Sequence, residues 1–153
     1  MAAIQYTHYG SMIAAIEYFS NRLFSEPWDN ATIEDKRRGL IAASRIIDTL
    51  NYKGTIASPT QYHEFPRGSD TVVPAAIEQA CYEIALALLD NRDPDMELEA
   101  LGISSQGIES VRTTYSRKQV PIEHLINGVP SNCAWRLLRP FLRDEDAIYL
   151  VRV

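Results

Sequence analysis

The sequence has 153 residues, of which 46% are hydrophobic and 23% are charged, and its formal net charge is −5 at pH 7. A chain of this length can bury one hydrophobic core without a metal ion or a disulfide, so we expect a single domain. The ordinary apolar and charged fractions exclude a wholly disordered or collagen-like chain. The longest mainly apolar run, residues 84–89, is far shorter than the roughly 20 residues that span a bilayer, and no basic-then-apolar signal segment opens the chain. We therefore expect a protein that is made in a cytoplasm and has no membrane partner.

The charges are distributed unevenly along the chain. Residues 1–102 contain 8 Lys or Arg and 15 Asp or Glu, whereas residues 103–153 contain 7 and 5, so the net charges are −7 and +2. An acidic chain is a poor candidate for tight, sequence-independent binding of nucleic acid, because that binding depends on basic side chains at phosphates. Two interpretations stay open. The acidic and basic parts meet complementary surfaces of protein partners, or the asymmetry belongs to an ordinary solvated surface.

The first third of the chain predicts two helices. Ser11 is a typical N-cap, and apolar residues recur at helical spacing from there through about Phe24, namely Met12, Ile13, Ile16, Phe19 and Leu23. The segment Thr32-Ile-Glu-Asp35 matches a capping box, and the helix that it opens ends at residues 51–54. The apolar stripe of this second helix consists of Ile33, Leu40, Ala43, Ile47 and Leu50. We expect the two helices to pack as an antiparallel pair.

Residues 54–73 show no helical period, but Tyr62 and Phe65 can be buried, so this segment is predicted to be an ordered loop. Pro74 suits the first position of a helix. The residues from there to about Asp90 are apolar on nearly all sides, which predicts that this helix is the central one. Residues 93–101 predict a short acidic helix. A calcium loop is not expected among these carboxylates, because no register supplies the required glycine.

The last third predicts a mixture of elements. Residues from about 101 to 116 alternate in polarity and are rich in β-branched side chains, which favours a β-hairpin. A short turn of helix is expected at residues 122–126, and Ser131 is the expected N-cap of a last helix that Pro140 kinks or ends. Its inward residues are predicted to be Cys133, Ala134, Leu137 and Leu138, and its outward residues Arg136, Arg139 and Arg143.

The chain closes with an acidic breaker, Asp144-Glu-Asp146, followed by the strand-like segment Ala147–Val153. Such a terminal strand either pairs with an edge on another subunit or completes an internal sheet with the hairpin, and both alternatives stay open. The predicted fold class is therefore mainly α: a helical bundle with a small β-hairpin and an extended C-terminal tail. We divide the chain into a helical domain of residues 1–143 and a tail of residues 144–153.

Sequence patterns typical of catalysis and cofactor binding are absent. The chain has no nucleophile elbow and no glycine-rich phosphate loop, and no carboxylate is recognisable in an apolar setting that would raise its pKa. The three histidines are not spaced with Cys or carboxylates as a metal site requires. Cys81 and Cys133 are too few for a disulfide scaffold, and Cys81 lies in an apolar helical pattern. We expect no enzyme activity, no cofactor and no metal.

The order of several short motifs resembles one family over about residues 6–143. These motifs are Tyr18-Phe19, Trp28-Asp29, Ile47-Asp48-x-Leu50-x-Tyr52-x-Gly54, Phe65-Pro66-Arg67-Gly68, Val73-Pro74-x-x-Ile77-x-x-Ala80-x-x-Glu83-x-Ala85, Ser110-Val-Arg-x-x-Tyr115, Val129-Pro130-Ser131 and Ala134-Trp135-Arg-Leu-Leu-Arg-Pro140. Together they resemble the small tailed-phage proteins often labelled DnaT-like ssDNA-binding and, more loosely, the helical head-to-tail connector (adaptor) proteins of phage necks. The family usually has Trp-Pro-Arg in the loop, where this chain has Phe65.

The two resemblances imply different functions. A connector would be a virion protein of the neck, between head and tail. It would form a ring, commonly of twelve copies, below the portal protein, bind a downstream neck or tail protein, and let double-stranded DNA pass through its lumen without specific binding. The alternative is a single-stranded-DNA-binding protein acting in replication, for which Arg112, Arg117 and Lys118 beside Tyr115 are the best candidates. We expect the connector, because an acidic body repels phosphate and most aromatic residues lie in apolar patterns.

The connector interpretation assigns roles to three sets of residues. The expected partner-docking residues are Ile148, Tyr149, Leu150 and Val151 of the tail. The candidates for salt bridges to a neighbouring subunit or the portal are Arg136, Arg139 and Arg143, with a solvated face as the alternative. The residues expected to anchor the long loop are Phe65, Pro66 and Arg67.

Overall fold

The computed structural model of the protein describes residues 7–101 and 122–143. Its helices are α1 (Met12–Ser20), α2 (Glu26–Asp29), α3 (Ile33–Asp48), α4 (Ala75–Leu89), α5 (Pro94–Ala100), α6 (Glu123–Ile126) and α7 (Asn132–Leu138), and a 3-10 helix (Arg139–Phe141) follows α7. The prediction of a mainly helical protein is confirmed. Within these two ranges no strand forms, and β pairing is limited to two isolated bridges, Tyr52 with Leu142 and Ile56 with Arg67. The predicted hairpin, apart from Leu101, and the predicted tail lie outside the described residues.

Helix α4 is the centre of the fold, as its apolar sequence predicts. It packs against α1, α2, α3 and α7. Its buried side chains include Ile77, Cys81 and Ile84, all with no exposed surface. Pro74 is the N-cap residue that precedes the helix, and Asp90 is the C-cap. Among the helices in the described ranges, none is both long and apolar enough to cross a bilayer.

Local sequence signals set the helix starts. The side chains of Ser11, Thr32 and Ser131 each accept a hydrogen bond from the backbone N–H three residues later, so all three predicted N-caps are confirmed. Gly10 precedes the first cap with a φ of +68°. A Cβ at this position would lie 2.0 Å from the Tyr82 hydroxyl oxygen, so only glycine allows the close approach of the chain to α4.

Three predictions about the first helices are wrong: where α1 ends, where α3 ends, and which helix packs against α3. Helix α1 ends at Ser20 rather than near Phe24. At this end the Ser20 hydroxyl and the Asn21 side-chain amide both donate to the Glu17 carbonyl. Such side-chain hydrogen bonds compete with continuation of a helix. Helix α3 ends at Asp48, and its main helical neighbour is α4 rather than α1. Helix α1 has only nine residues, and the apolar stripe of α3 packs on the longer, apolar α4 instead.

Several side chains expected in the interior are exposed. Ile33 lies in the first turn of α3 and is 60% exposed, and Tyr62 in the long loop is 67% exposed, because Phe65 alone fills the interior there. Cys133 is also exposed. The inward face of α7 is Ala134, Trp135 and Leu138, because the large Trp135 ring takes the buried position. Both cysteines are free, Cys81 is buried, and burial raises its thiol pKa to about 12.

Candidate interaction surfaces

The long loop is held by residues on both sides of the Phe65–Pro66 peptide bond, which is cis. The buried Phe65 ring packs edge-on against the rings of Tyr52 at 4.6 Å and Phe141 at 5.7 Å. The Arg67 guanidinium donates to the carbonyls of Lys53 at 2.9 Å and Gly54 at 2.7 Å, and it pairs with the Glu64 carboxylate at 2.7 Å. These contacts join the loop to the segment after α3. The anchoring role of Phe65, Pro66 and Arg67 stays a prediction.

The three arginines predicted to form intersubunit or portal salt bridges lie in different settings. Arg136 is exposed on α7 and Arg143 is exposed after the 3-10 helix. Arg139 has a partner within the chain, since its guanidinium lies 3.8 Å from the Glu123 carboxylate. Salt bridges from these residues to another subunit or to the portal stay a prediction.

Two predicted functional segments lie outside the described residues. One is the docking segment, Ile148, Tyr149, Leu150 and Val151, and the other is the basic group, Arg112, Arg117 and Lys118 with Tyr115. The described chain reaches Arg143, whose backbone N–H donates to the Asn51 carbonyl at 3.0 Å. The segment that leads into the tail is therefore paired with the residues that follow α3.

A cleft of about 250 Å³ lies at the C-terminal end of α3. We call it the α3 cleft, and it is lined by Thr7, Ile41, Arg45, Asp48, Thr49, Tyr62 and His63. Asp48 organises its floor: the carboxylate lies 2.6 Å from His63 Nδ1 and accepts hydrogen bonds from the Tyr9 hydroxyl at 2.5 Å and the Glu64 N–H at 3.2 Å. Burial, with the hydrogen bond to Asp48, raises the pKa of Tyr9 far above its ordinary value.

The α3 cleft joins three distant parts of the chain. The His63 Nε2 atom lies 2.8 Å from the Thr7 hydroxyl, so the N-terminal segment, α3 and the long loop meet at one imidazole. A hydroxyl, an imidazole and a carboxylate in this order also occur in hydrolases, but here each group links one chain segment to the next. Sequence reasoning missed this cluster, because its members are 15 to 56 residues apart and carry no spacing pattern.

Helix α4 carries a buried carboxylate, Glu83, which belongs to one of the family-like motifs but has no role predicted from the sequence. The Glu83 side chain is 2% exposed, and its two oxygens accept hydrogen bonds from Arg22 at 2.6 and 2.9 Å. The Tyr18 hydroxyl donates to the same carboxylate at 2.5 Å. Burial, with this hydrogen bond, raises the pKa of Tyr18. A signal for this burial was available in the sequence, because Glu83 is a charged residue amid the apolar run of α4.

Next to this ion pair, the chain exposes two large apolar side chains, Leu23 and Phe24, which we call the apolar knob. They are 77% and 80% exposed, although Leu23 was predicted to lie on the buried stripe of α1. Hydrogen bonds fix their backbone: the Arg22 guanidinium donates to the carbonyls of Leu23 at 2.5 Å and Phe24 at 3.2 Å. Ile13 and Ile16 of α1, expected to be inward, are exposed as well, at 80% and 44%.

The described surface is acidic and offers few aromatic rings. Residues 7–101 and 122–143 contain 11 Lys or Arg and 16 Asp or Glu, a net charge of −5. Most of the aromatic side chains in these ranges are buried, namely Tyr9, Phe19, Trp28, Tyr52, Phe65, Tyr82 and Trp135. Phe24 and Tyr62 are the large exposed rings of the described chain. No group of three His, Cys, Asp or Glu side chains within the described residues could hold a metal ion.

The model of the family described as "Putative DnaT-like ssDNA binding protein" matches residues 5–153, nearly the whole chain. No curated protein and no solved structure matches the chain significantly.

Proposed function

We propose that this chain, which belongs to the DnaT-like ssDNA-binding protein family, acts as a head-to-tail connector through which phage DNA passes. In this proposal, copies of the chain form a ring below the portal protein and extend the channel through which packaged double-stranded DNA moves. A downstream neck or tail protein binds the opposite side of the ring. The protein acts as a structural part of the virion, not as an enzyme.

The observation that supports this proposal best is the combination of surface charge and buried rings. A protein that binds single strands stacks bases on exposed aromatic side chains along a positively charged groove. The described residues have a net negative charge, and seven of their aromatic side chains are buried in the interior, where they cannot stack on bases. A channel wall, by contrast, must let DNA slide past. Negative charge serves that purpose, because each basic contact to phosphate adds affinity through counterion release.

A second candidate function is single-stranded-DNA binding, and the family match supports it more directly than it supports the connector. The chain also has a segment suited to it: residues 103–121 contain three basic residues and one acidic residue, with Tyr115 among them. That segment would have to provide most of the affinity, since the rest of the chain is acidic.

A titration of a labelled single-stranded oligonucleotide with the purified full chain at physiological salt distinguishes the two functions. The connector proposal predicts no binding tighter than the nonspecific range, roughly 10⁻⁴–10⁻⁶ M. Submicromolar binding with a steep salt dependence would overturn it, provided that the triple variant Arg112→Ala, Arg117→Ala, Lys118→Ala loses the affinity. The matched control is Arg37→Ala, Arg38→Ala, Lys36→Ala, which removes three basic residues from α3 instead.

The ring itself is tested by the mass of the full chain in solution and by cosedimentation with the portal protein of the same phage. The proposal expects an oligomer many times the monomer mass of 17.3 kDa, alone or on the portal. A chain that stays monomeric and does not join the portal would overturn the connector function.

A further inference from the structure

The apolar knob combines an unfavourable backbone conformation with exposed apolar side chains, and this combination is typical of an interaction site. Phe24 has a φ of +60°, a conformation that is sterically unfavourable for a bulky side chain. Burial of the side chains does not offset this strain, because Leu23 and Phe24 are 77% and 80% exposed. Strained backbone and exposed apolar surface both concentrate at sites of interaction.

The knob is also held in place by the interior of the protein. Glu83, 2% exposed in the central helix, fixes the guanidinium of Arg22, and that group in turn binds the carbonyls of Leu23 and Phe24. A loop that merely connected α1 to α2 would not need an ion pair from the core to fix its backbone. The arrangement presents two apolar side chains in a defined position, as a docking element requires.

The α3 cleft is a suitable recess elsewhere on the same molecule. Its volume is about 250 Å³, and it is open to solvent, so it has room for a side chain that enters from outside. Ile41 and the exposed Tyr62 ring provide apolar lining, and Arg45 is exposed at its margin. Glu17 and Glu26 are exposed carboxylates that precede and follow the knob in the chain, and they have the opposite charge to the exposed Arg45. The other charged group of the lining, the Asp48 carboxylate, is hydrogen-bonded within the chain to Tyr9, His63 and Glu64.

The two surfaces lie at opposite ends of α1. Thr7 lines the cleft and precedes α1, whereas the knob follows it, and the nine residues of the helix span about 13 Å. A surface that is complementary to a different surface on the same chain produces head-to-tail contacts. Such contacts close into a ring when the rotation between copies allows it.

We propose that Leu23 and Phe24 of one copy insert into the α3 cleft of the next copy, and that this contact builds the ring. The inference rests on the proposed function and deepens it, since it names the surfaces by which the copies join. The occupant of the cleft is thus a second copy of this chain.

The test uses two variants of the full chain. The knob variant, Leu23→Ser with Phe24→Asn, removes the apolar side chains but keeps the backbone, because Asn tolerates a positive φ. The cleft variant, Thr49→Arg with Tyr62→Ala, fills the recess and removes its exposed ring. A control variant, Val72→Gln with Met96→Gln, removes exposed apolar side chains outside both surfaces. Thermal unfolding of each variant verifies that it is folded.

Each variant alone should have the monomer mass of 17.3 kDa, while the control assembles like the wild type. An equimolar mixture of the knob and cleft variants should form a species of twice that mass and no larger one. Each such pair retains one intact knob facing one intact cleft. A wild type larger than a dimer then identifies the contact as head-to-tail, because a two-fold exchange of knobs would stop at two copies.

Rings formed by a knob or cleft variant would overturn the inference and leave the connector function standing. A wild type that is monomeric alone but joins the portal, with the knob variant failing to join, would also overturn it, because the knob would then dock on the portal. A wild type that neither assembles nor joins the portal would overturn the connector function itself.

Discussion

At the scale of single residues, the buried Glu83 carboxylate is the most consequential side chain of the described structure. Removing a carboxylate from water costs several kcal/mol, and the cost is recovered only when the geometry is good and every oxygen has a partner. Arg22 and Tyr18 meet that condition, with three hydrogen bonds between 2.5 and 2.9 Å. The pair therefore specifies where the end of α1 sits on α4, whatever its net contribution to stability.

Replacement of Arg22 by Met should lower the free energy of unfolding by about 3–5 kcal/mol, because it leaves an uncompensated charge in the interior. The double variant Arg22→Met, Glu83→Met should recover most of that loss. Urea unfolding of both single variants and the double variant measures the coupling.

The control for this cycle is the exposed pair of Arg37 and Glu34, whose side chains are 51% and 62% exposed. An exposed pair contributes little, so Arg37→Met should change stability by less than about 1 kcal/mol. Equal losses in Arg22→Met and Arg37→Met would contradict the importance of the buried pair.

At the scale of elements, the long loop between α3 and α4 behaves as part of the core. Phe65 is 4% exposed and contacts rings from the N-terminal segment, from the residues after α3 and from the 3-10 helix. The loop thus packs against three separate parts of the chain. Its exposed tip, with Tyr62, forms one wall of the α3 cleft.

Phe65→Ala should destabilise the protein by about 3–5 kcal/mol, since it removes a buried ring and leaves a cavity. Tyr62→Ala, three residues earlier, should change stability by no more than about 0.5 kcal/mol because its ring is exposed. Denaturant midpoints of the two variants check this contrast. If both variants behaved like the wild type, Phe65 would not anchor the loop.

The C-terminal tail is the other element with a testable role. Deletion of residues 147–153 should leave a folded monomer that no longer joins the portal or its neighbouring copies, if the tail docks on partners. If the tail instead completes an internal sheet, the truncated protein loses stability by kilocalories, since one large buried apolar side chain contributes about 1.5–3 kcal/mol. Thermal stability and portal binding are measured on the same truncated chain. If the truncated chain is less stable but still binds the portal, the tail is part of the fold and is not a docking segment.

At the scale of the whole molecule, the buried tyrosines make stability depend on alkaline pH. Burial, the largest cause in each case, raises the pKa of Tyr9, Tyr18, Tyr52 and Tyr82 above the ordinary 10.0. In the unfolded chain these hydroxyls ionise near pH 10, whereas in the folded chain they keep their protons. The unfolded state therefore binds fewer protons at high pH, and stability falls as pH rises.

The melting temperature should consequently be independent of these groups below about pH 10 and should fall increasingly steeply above it. Scanning calorimetry between pH 8 and pH 11 checks the profile. In Tyr52→Phe, which lacks one of the four hydroxyls, the alkaline fall should be shallower than in the wild type. A melting temperature that stays constant to pH 11 would contradict the burial of these hydroxyls.

The sequence by itself determined the features that depend on neighbouring residues. The N-caps at Ser11, Thr32 and Ser131 bond three residues ahead, so the helix starts are encoded locally. The centrality of α4 follows from its composition, because a helix that is apolar on nearly all sides must be surrounded. The motif order indicated the family that the match over residues 5–153 shows.

Only the tertiary structure decided which faces meet and which side chains remain outside. The pairing of Glu83 with Arg22, 61 residues away, and of Asp48 with His63 has no local signature, since it depends on how α1 and the loop pack. The exposure of Leu23 likewise depends on where α1 stops, which helical spacing alone does not specify. Helical periodicity indicates which residues could be buried, but each of them also needs a surface to pack against. In this chain, α4 covers only part of the apolar surface that the periodicity predicts to be buried.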